Sequence, residues 1–349
     1  MISTCLAIET SCDDTSVALV GHDGYVHALV SANQDLVHAP YGGIVPEIAS
    51  RNHSLNLLPL IEEMFRQYGK SWADVQGIAV TSRPGLMGSL IVGVVTAKSL
   101  AQARGLPLIG VNHLEGHIVA PFLRDDQYRP AFEMHEPILG LAISGGHTSI
   151  YNIQEFGKYE VLGATLDDAA GEAFDKFGKM IGLGFPGWAQ VDRLAKTGNP
   201  RAFDFPRSMI KEDNYLMSFS GLKSSAQRLV QSLPAEKIQA QLSDLCASFQ
   251  EAVVEVLIAK LDRAVEHTGL QRVIITGGVS ANSRLRDQAE MWAQKKKLKL
   301  QIPPLKYCTD NAAMIGLAGI LRLNRGERHE LSLGPSPNSL PGDFVGEGR

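Results

Sequence analysis

The sequence predicts an α/β protein that contains two copies of one structural unit. Residues 6–20 predict a strand, a short polar turn and a returning strand, and residues 138–153 repeat this order. In both copies a Thr-Ser pair opens the second strand. After each hairpin, apolar strand-like runs alternate with segments whose apolar residues recur at helical spacing. This repetition indicates an internal duplication, the alternative being a chance likeness between two hairpins.

Composition limits the class of protein. A chain of 349 residues that is 44% hydrophobic is long enough for two domains of ordinary size. Its net charge of −4 does not indicate a nucleic-acid partner, which would need a local basic surface. The one dense basic run, Lys295–Lys297 with Lys299, is interpreted as a solvated helix end. The four cysteines form no Cys-x-x-Cys pair, and we find no signal peptide, transit peptide or membrane-length apolar run, so we expect a cytoplasmic protein.

The remaining elements follow from periodicity and from glycine and proline breaks. Predicted strands cover residues 6–10, 15–20, 25–31, 78–81, 108–111, 138–143, 148–153, 273–276 and 298–302. Predicted helices cover residues 47–68, 89–103, 167–179 and 242–267, a segment after residue 282, and a segment from about 310 to 324. The polar residues 198–220 predict an inserted loop or lid. We expect domains at 1–127 and 128–325, followed by a loosely ordered tail at 326–349.

A histidine pair stands out in Asn112-His113-Leu114-Glu115-Gly116-His117. In a helix, residues four apart share one face, so His113 and His117 could both ligate one metal ion. The pair follows a predicted buried strand, at the end where open α/β sheets bind ligands. The alternative for such a pair alone is that both are surface histidines or core histidines that bind no ligand. The pattern lacks the glutamate directly after the first histidine that metallopeptidases of the His-Glu-x-x-His type carry.

Glycine-rich turns also follow two of the predicted strands. Ser144-Gly145-Gly146-His147 joins the strands of the second hairpin, and Gly277–Asn282 follows the strand at 273–276. Glycines let a backbone approach a phosphate closely with its amides pointing inward. These turns therefore predict nucleotide contacts, although a lone Gly-Gly is more often an ordinary hairpin turn.

Taken together, the motifs resemble a known family, the transferase subunit of tRNA threonylcarbamoyladenosine synthesis, formerly mislabelled an O-sialoglycoprotein endopeptidase. The resemblance covers residues 5 to about 325 and rests on Asn112–His117, Ser144–His147, Gly171–Lys176, Ser218–Lys223, Gly277–Asn282 and Cys308–Asn311. It implies the fold of actin, Hsp70 and the sugar kinases (ASKHA), with two duplicated ribonuclease-H-like domains and a nucleotide in the cleft between them.

The resemblance also implies roles for individual residues. His113, His117 and Asp310 would be the metal ligands, although Asp310 alone would more often be a helix cap. Two imidazoles and a carboxylate suit Fe(II), and Zn(II) would also fit. Residues that would bind the adenylate are Ala142, Ile143, Ser144, Gly145, Gly146, Asp175, Gly187, Trp188, Asp192 and Asn282. Asp13 or Glu9 would orient the amine or a water on the metal.

The implied reaction transfers the threonylcarbamoyl group of threonylcarbamoyl-AMP to N6 of adenosine 37, in tRNAs reading codons that begin with A. Implied partners are tRNA, a paralogous inactive ASKHA subunit and an accessory ATPase, with no membrane. The alternatives are an ATP-hydrolysing chaperone-like or kinase-like protein, a metallopeptidase and a binding-only scaffold. The sequence departs from the family pattern twice: Trp188 replaces a second glycine after Gly187, and Asp14 replaces a glutamate.

Overall fold

The computed structural model describes residues 1–184 and 186–339, and the chain divides into two compact units. Of the described residues, 1–133 and 303–339 form the first unit, and the second lies within 134–302. Within the described residues no helix is both long and apolar enough to cross a membrane. All four cysteines are free thiols, as the absence of paired spacing predicts.

Ten strands and eleven helices form within the described residues. The strands are β1 (Thr4–Glu9), β2 (Thr15–Gly21), β3 (Val26–Ala32), β4 (Gly77–Arg83), β5 (Leu108–Asn112), β6 (Ile138–Ile143), β7 (Thr148–Glu155), β8 (Lys158–Ala164), β9 (Arg272–Thr276) and β10 (Lys299–Gln301). The helices are α1 (Asp35–His38), α2 (Pro46–Tyr68), α3 (Met87–Arg104), α4 (His113–Val119), α5 (Ala170–Met180), α6 (Gly187–Ala195), α7 (Ser220–Ser232), α8 (Ala235–Ala240), α9 (Leu242–Thr268), α10 (Ser283–Lys296) and α11 (Ala312–Asn324).

Both units contain a five-stranded mixed sheet with the same topology. The order in the first is β3-β2-β1-β4-β5, and in the second it is β8-β7-β6-β9-β10 when read in the same direction. In each sheet the first three strands along the chain pair antiparallel, and the last two join in parallel. The matching order and polarity confirm the predicted duplication and give each unit a ribonuclease-H-like architecture.

Alternating side chains of β1 and β4 divide the core of the first unit into two layers. Leu6 and Ile8 pack with apolar residues of α2 and α3 on one face. On the other face α11 lies very close to the sheet, because a Cβ placed on Gly319 would stand only 2.3 Å from Ala79 Cβ. The sheet is therefore covered on both sides, as its parallel strands require.

The close packing of α11 changes the predicted domain boundary. We expected residues 303–325 to belong to the second domain, but they lie in the first unit. Sequence periodicity shows that α11 has buried faces without showing which sheet buries them. Asp310, just before α11, consequently belongs to the same unit as both histidines.

The second unit contains elements that the sequence analysis missed, namely β8, α6, α7 and α8. The loop predicted at residues 198–220 is confirmed as far as residue 219, but it is packed into the core. Although residues 198–219 form no helix or strand, Phe205 and Phe219 are buried in the main core. The buried ammonium of Lys260 donates to the carbonyls of Glu212 and Asn214 and fixes this segment against α9.

The segment after α11 was expected to be loosely ordered. As far as residue 339 it packs on the first unit, with Leu333 buried and the His329 amide donating to the Leu108 carbonyl. The rest of the predicted tail, residues 340–349, lies outside the described residues.

Candidate functional site

The histidine motif begins where β5 ends. Asn112 closes the strand and caps α4, because its side-chain oxygen accepts a hydrogen bond from the Leu114 amide at 2.9 Å. His113 and His117 then lie four residues apart in α4, and both are buried, at 8% and 1% exposure. The interpretation of these residues as surface histidines is therefore wrong.

Asp310, which lies far from the histidine motif in the sequence, is close to both histidines in the structure. The cap of α11 is Asn311, whose side chain accepts from the Met314 amide at 3.1 Å. The alternative role of Asp310 as the cap of this helix is therefore wrong. Its carboxylate instead points at the two imidazoles, with Oδ1 lying 3.3 Å from His113 Nε2 and 3.2 Å from His117 Nε2.

The geometry of this triad fits a metal ion. Three donor atoms, one from each side chain, lie within 4.8 Å of one another. Ligand atoms bound about 2.0–2.2 Å from one ion at tetrahedral or octahedral angles stand about 3.0–3.5 Å apart, which matches the two nitrogen–oxygen separations. Two imidazoles and one carboxylate form a donor set that serves Fe(II) and Zn(II) alike.

A second set of contacts orients His113. Glu9 Oε2 lies 3.2 Å from His113 Nδ1, the ring nitrogen that faces away from Asp310. The Thr81 hydroxyl and the Ser11 amide both donate to the Glu9 carboxylate, which is fully enclosed. A carboxylate on one imidazole nitrogen fixes the tautomer that presents the other nitrogen to a metal. Glu9 and Asp310 thus contact opposite nitrogens of the His113 ring.

The three side chains of the triad shift one another's pKa values. Burial alone would lower the pKa of His113, but the carboxylates of Asp310 and Glu9 outweigh it and raise this pKa well above its usual value. Burial lowers the pKa of His117, so the proton favours His113. Burial would raise the pKa of Asp310, but the two imidazoles hold it well below its usual range. The site therefore concentrates negative charge on a carboxylate beside two nitrogen donors.

A buried ion pair joins α4, which carries both histidines, to α11, which begins just after Asp310. Both oxygens of Glu115, on α4, accept from Arg322 on α11, at 2.7 and 2.9 Å. Glu327 also contacts the guanidinium, at 2.5 Å. Sequence reasoning missed this pair, although a glutamate inside an otherwise apolar helix turn signals a buried partner.

Asp13 and Asp14 lie in the turn after β1. Burial, followed by the charge of Asp310, raises the pKa of Asp13. Burial, together with Asp13 and Asp310, raises the pKa of Asp14 to about 7. Asp14 stands where the family pattern has a glutamate. Its carboxylate accepts a hydrogen bond from the Asn33 side chain at 2.9 Å.

In the second unit, residues 142–146 span the end of β6 and the following turn. The turn is closed by the Ser144 amide, which donates to the His147 carbonyl at 2.8 Å. A Cβ added to Gly145 or Gly146 would meet no atom within 4 Å. Packing within the protein therefore does not require glycine at either position, whereas close approach of a ligand would.

Asp175, on α5, lies against Gly187, the first residue of α6. A Cβ on Gly187 would stand 3.1 Å from the Asp175 backbone, and the Trp188 amide donates to the Asp175 carboxylate at 3.0 Å. Trp188 packs its half-buried indole against the main core of this unit. The first departure from the family pattern is thus accommodated by the protein's own packing.

Asp192 and Asn282 lie on a shared network. Asp192 accepts from both the amide and the hydroxyl of Ser283, and Asn282 caps α10 by accepting from the Leu285 amide at 3.0 Å. The Asn282 amide group also donates to Gln250 of α9 at 2.7 Å. Asn282 is therefore a helix cap, and it makes a second contact that sequence reasoning missed.

A cavity of about 230 Å³ opens beside this network. Its walls come from the end of α6 and from α9 and α10, and they include Lys196, Gln250, Arg284 and Asp287. Arg284 is held in place by a two-point ion pair with Glu251, at 2.6 and 2.9 Å. The cavity is polar and lies entirely within the second unit.

The duplicated sheets define an ASKHA-type fold, and solved structures of that class are similar. Full-length HypF, in a phosphate- and nucleotide-bound form, aligns with 92% of this chain and 46% of its own length at a TM-score of 0.59 and 13% identity. The Acidaminococcus fermentans (R)-2-hydroxyglutaryl-CoA dehydratase component A aligns with 93% of this chain and 99% of its own at a TM-score of 0.51 and 11% identity. At such low identity these likenesses establish the fold alone.

Sequence comparison establishes the family. Residues 26–317 match the TsaD family, described as tRNA N6-adenosine threonylcarbamoyltransferase. The enzyme of that name from Bdellovibrio bacteriovorus is 66% identical over 344 residues, which cover 99% of this chain and 100% of the relative. The Pelobacter propionicus enzyme is 46% identical over 99% of both chains. The chain therefore belongs to the tRNA N6-adenosine threonylcarbamoyltransferase family, and membership does not favour the ATPase or metallopeptidase alternatives.

Proposed function

We propose that the protein transfers the threonylcarbamoyl group from threonylcarbamoyl-AMP to N6 of adenosine 37, in tRNAs that read codons beginning with A. The observation that carries this proposal is the 66% identity to a named transferase over practically the whole chain. The metal-ligand triad agrees with it, since membership of this family implies a metal cofactor.

His113, His117 and Asp310 would hold one divalent ion, for which we favour Fe(II) over Zn(II). When bound, such an ion supplies a Lewis acid that makes the carbamoyl carbon more electrophilic. Glu9 contributes by fixing His113 through its Nδ1 atom, 3.2 Å away. We therefore assign Glu9 a positioning role rather than direct contact with the substrate.

The second unit would hold the adenylate. Backbone amides of residues 142–146 suit the phosphate, because the open space around Gly145 and Gly146 lets an anion approach the chain. The network of Asp192 and Asn282 and its adjoining cavity suit the nucleoside, whose hydroxyl and amino groups need polar partners. We assign Asp175, Gly187 and Trp188 to the wall on the α5 side.

The reaction needs an amine to displace a phosphate. A bond forms between N6 of the adenine and the carbamoyl carbon, the bond from that carbon to the phosphate oxygen breaks, and N6 loses a proton as AMP departs. An exocyclic adenine amine is a poor nucleophile, so its orientation matters. We assign that role to Asp13, which lies in the turn after β1 and is only partly buried. No covalent enzyme intermediate is required.

The first unit also offers a surface for the paralogous subunit. Helices α2 and α3 pack together and leave apolar side chains in solvent, namely Leu55 at 71%, Leu58 at 53%, Ile91 at 44% and Val95 at 53% exposure. Exposed apolar residues on adjacent helices favour docking of a similar helix pair. We place the inactive ASKHA subunit on this surface. We also propose that an accessory ATPase completes the assembly. We expect the protein to act in the cytoplasm, where its tRNA substrate is modified.

The test combines purified protein, unmodified tRNA, threonylcarbamoyl-AMP, the partner subunits and Fe(II). Mass spectrometry should detect N6-threonylcarbamoyladenosine with the natural protein and none with His113→Ala. A matched control is His22→Ala, because His22 is an exposed histidine of the same unit. Asp13→Asn should slow transfer at saturating adenylate, and an unchanged rate would remove Asp13 from the mechanism. Absence of product from the natural protein under every metal and partner condition would overturn the proposed activity.

A further inference from the structure

The chain after α11 returns across the first unit as a segment that we name the C-terminal strap, residues 329–339. It starts along β5, which is the edge strand of its sheet. The His329 amide donates to the Leu108 carbonyl at 2.8 Å, and the Gly110 amide donates to His329 Nδ1 at 3.1 Å. The Lys98 ammonium then donates to the Leu333 carbonyl at 3.0 Å. The strap therefore covers the open edge of β5.

The first unit has a space at Gly110 that accommodates Leu333 of the strap. A Cβ placed on Gly110 would lie 3.0 and 3.1 Å from the two methyl carbons of Leu333, and 2.8 Å from the Ser82 hydroxyl. Leu333 is 9% exposed and packs against the core formed by β1, β4, α2 and α3. A glycine in the middle of a strand normally weakens it, and here the missing side chain makes room for Leu333.

Beyond Leu333 the strap crosses the carboxyl ends of β4 and β5, where the metal ligands begin. The Ser336 amide donates to the Ser82 carbonyl at 2.8 Å, and the Gly85 amide donates to the Pro337 carbonyl at 3.3 Å. The Ser339 hydroxyl accepts from the side-chain amide of Asn112 at 2.7 Å. The strap thus contacts the end of β4, the loop that follows it and the first residue of the histidine motif.

Two of these contacts connect to His113 through one intermediate residue each. Asn112 is the cap of α4, so the strap holds one end of the Asn112 side chain while the other end fixes the start of the histidine helix. Gly85 packs against Ser11, since a Cβ on Gly85 would stand 2.5 Å from the Ser11 carbonyl oxygen. The Ser11 hydroxyl lies 3.2 Å from His113 Nδ1.

We propose that the C-terminal strap is a positioning element of the metal centre, and that Ser339 sets metal affinity through Asn112. This inference rests on the proposed metal site. Groups that hold a metal-ligating helix without touching the metal often change affinity about 10–100-fold when they are removed. A strap that only stabilised the sheet edge would change the unfolding midpoint and leave the affinity and the ligand geometry alone.

The experiment titrates the metal-free, full-length protein with Co(II), whose visible spectrum reports affinity and coordination geometry together. Ser339→Ala should weaken Co(II) binding about 5-fold, the factor expected for one lost hydrogen bond, and should alter the ligand-field bands. Ser339→Thr, which keeps the hydroxyl, should restore both. The matched control is Ser336→Ala, because among the described residues the Ser336 hydroxyl donates to the Asn338 carbonyl within the strap and not to Asn112.

A second variant ends the chain at Arg328 and should weaken Co(II) binding about 10-fold or more. Circular dichroism of the metal-free protein establishes that each variant is folded. Binding by Ser339→Ala with the affinity and spectrum of the natural protein would overturn the strap proposal. His113→Ala separates the two levels of inference: if it binds Co(II) as tightly as the natural protein, the metal site itself is wrong.

Discussion

Replacing Glu115 with glutamine should destabilise the first unit by about 3 kcal/mol, because breaking a buried ion pair from one side typically costs about 3–5 kcal/mol. The Glu115 side chain is completely buried and Arg322 is 8% exposed, so water cannot replace the lost charge. Both Glu115 oxygens accept from the guanidinium, and glutamine leaves only one acceptor. The remaining contact from Arg322 to Glu327 keeps the expected loss near the lower end of that range.

Thermal unfolding followed by circular dichroism measures this effect. For a cooperative unit of 150–250 residues, a loss of about 3 kcal/mol corresponds to a midpoint lower by about 6–12 °C. The matched control is Glu47→Gln, which breaks an exposed ion pair with Arg51 in the same unit and should leave the midpoint nearly unchanged. Replacing both residues with methionine, as Glu115→Met together with Arg322→Met, should cost less stability than Glu115→Gln alone, since an apolar pair can replace a buried ionic one. Equal midpoints for Glu115→Gln and Glu47→Gln would refute the reasoning.

Three further predictions concern the second unit. Phe249→Ala should lower the free energy of unfolding by about 3–5 kcal/mol, because Phe249 is fully buried against three other phenylalanines. Denaturant unfolding would measure this loss. Burial would raise the pKa of Asp167, but hydrogen bonds from residues 218–220 outweigh this effect and lower the pKa. Part of the free energy of unfolding should therefore be lost as the pH falls below about 4. Asp167→Asn should flatten that acid loss in urea titrations at pH 7 and 3.5. Gly145→Ala should leave unfolding unchanged but weaken adenylate binding in calorimetry, whereas Gly277→Ala should destabilise the fold, since its φ is +89° and its Cβ would meet the Ile143 carbonyl.

The sequence predicted most of the regular structure because its signals are local. Helix α2 ends at Gly69, whose φ of +61° suits glycine, and α9 ends at Gly269 for the same reason. By contrast β8 was missed, since Lys158–Ala164 is an edge strand with mixed burial and no regular alternation. Helix α6 was missed because it begins directly after a run of glycines and a proline, which normally predicts a loop.

The candidate site shows the same limit. The histidine spacing predicted a shared face, because four residues is a helical period. Nothing local brings Asp310 to that face, since its approach depends on which sheet buries α11 and on Asn311 taking the cap. The family resemblance supplied what periodicity could not. The same applies to the contacts of Gln250 and Ser339, which join residues 32 and 227 positions apart in the chain.

The distribution of the candidate residues has a consequence for how binding and folding are coupled. The three residues proposed as metal ligands belong to the first unit, and all residues proposed to bind the adenylate belong to the second. A ligand stabilises the structure that it binds by RT ln(1 + [L]/Kd), which is about 2.7 kcal/mol at one hundred times Kd. Metal binding should therefore protect β1, β4 and β5 from unfolding, and an adenylate should protect β6 and β9. Because the proposed metal ligands come from two distant parts of the chain, removing the metal should lower the unfolding midpoint of the first unit and leave the glycine turn of the second unit intact.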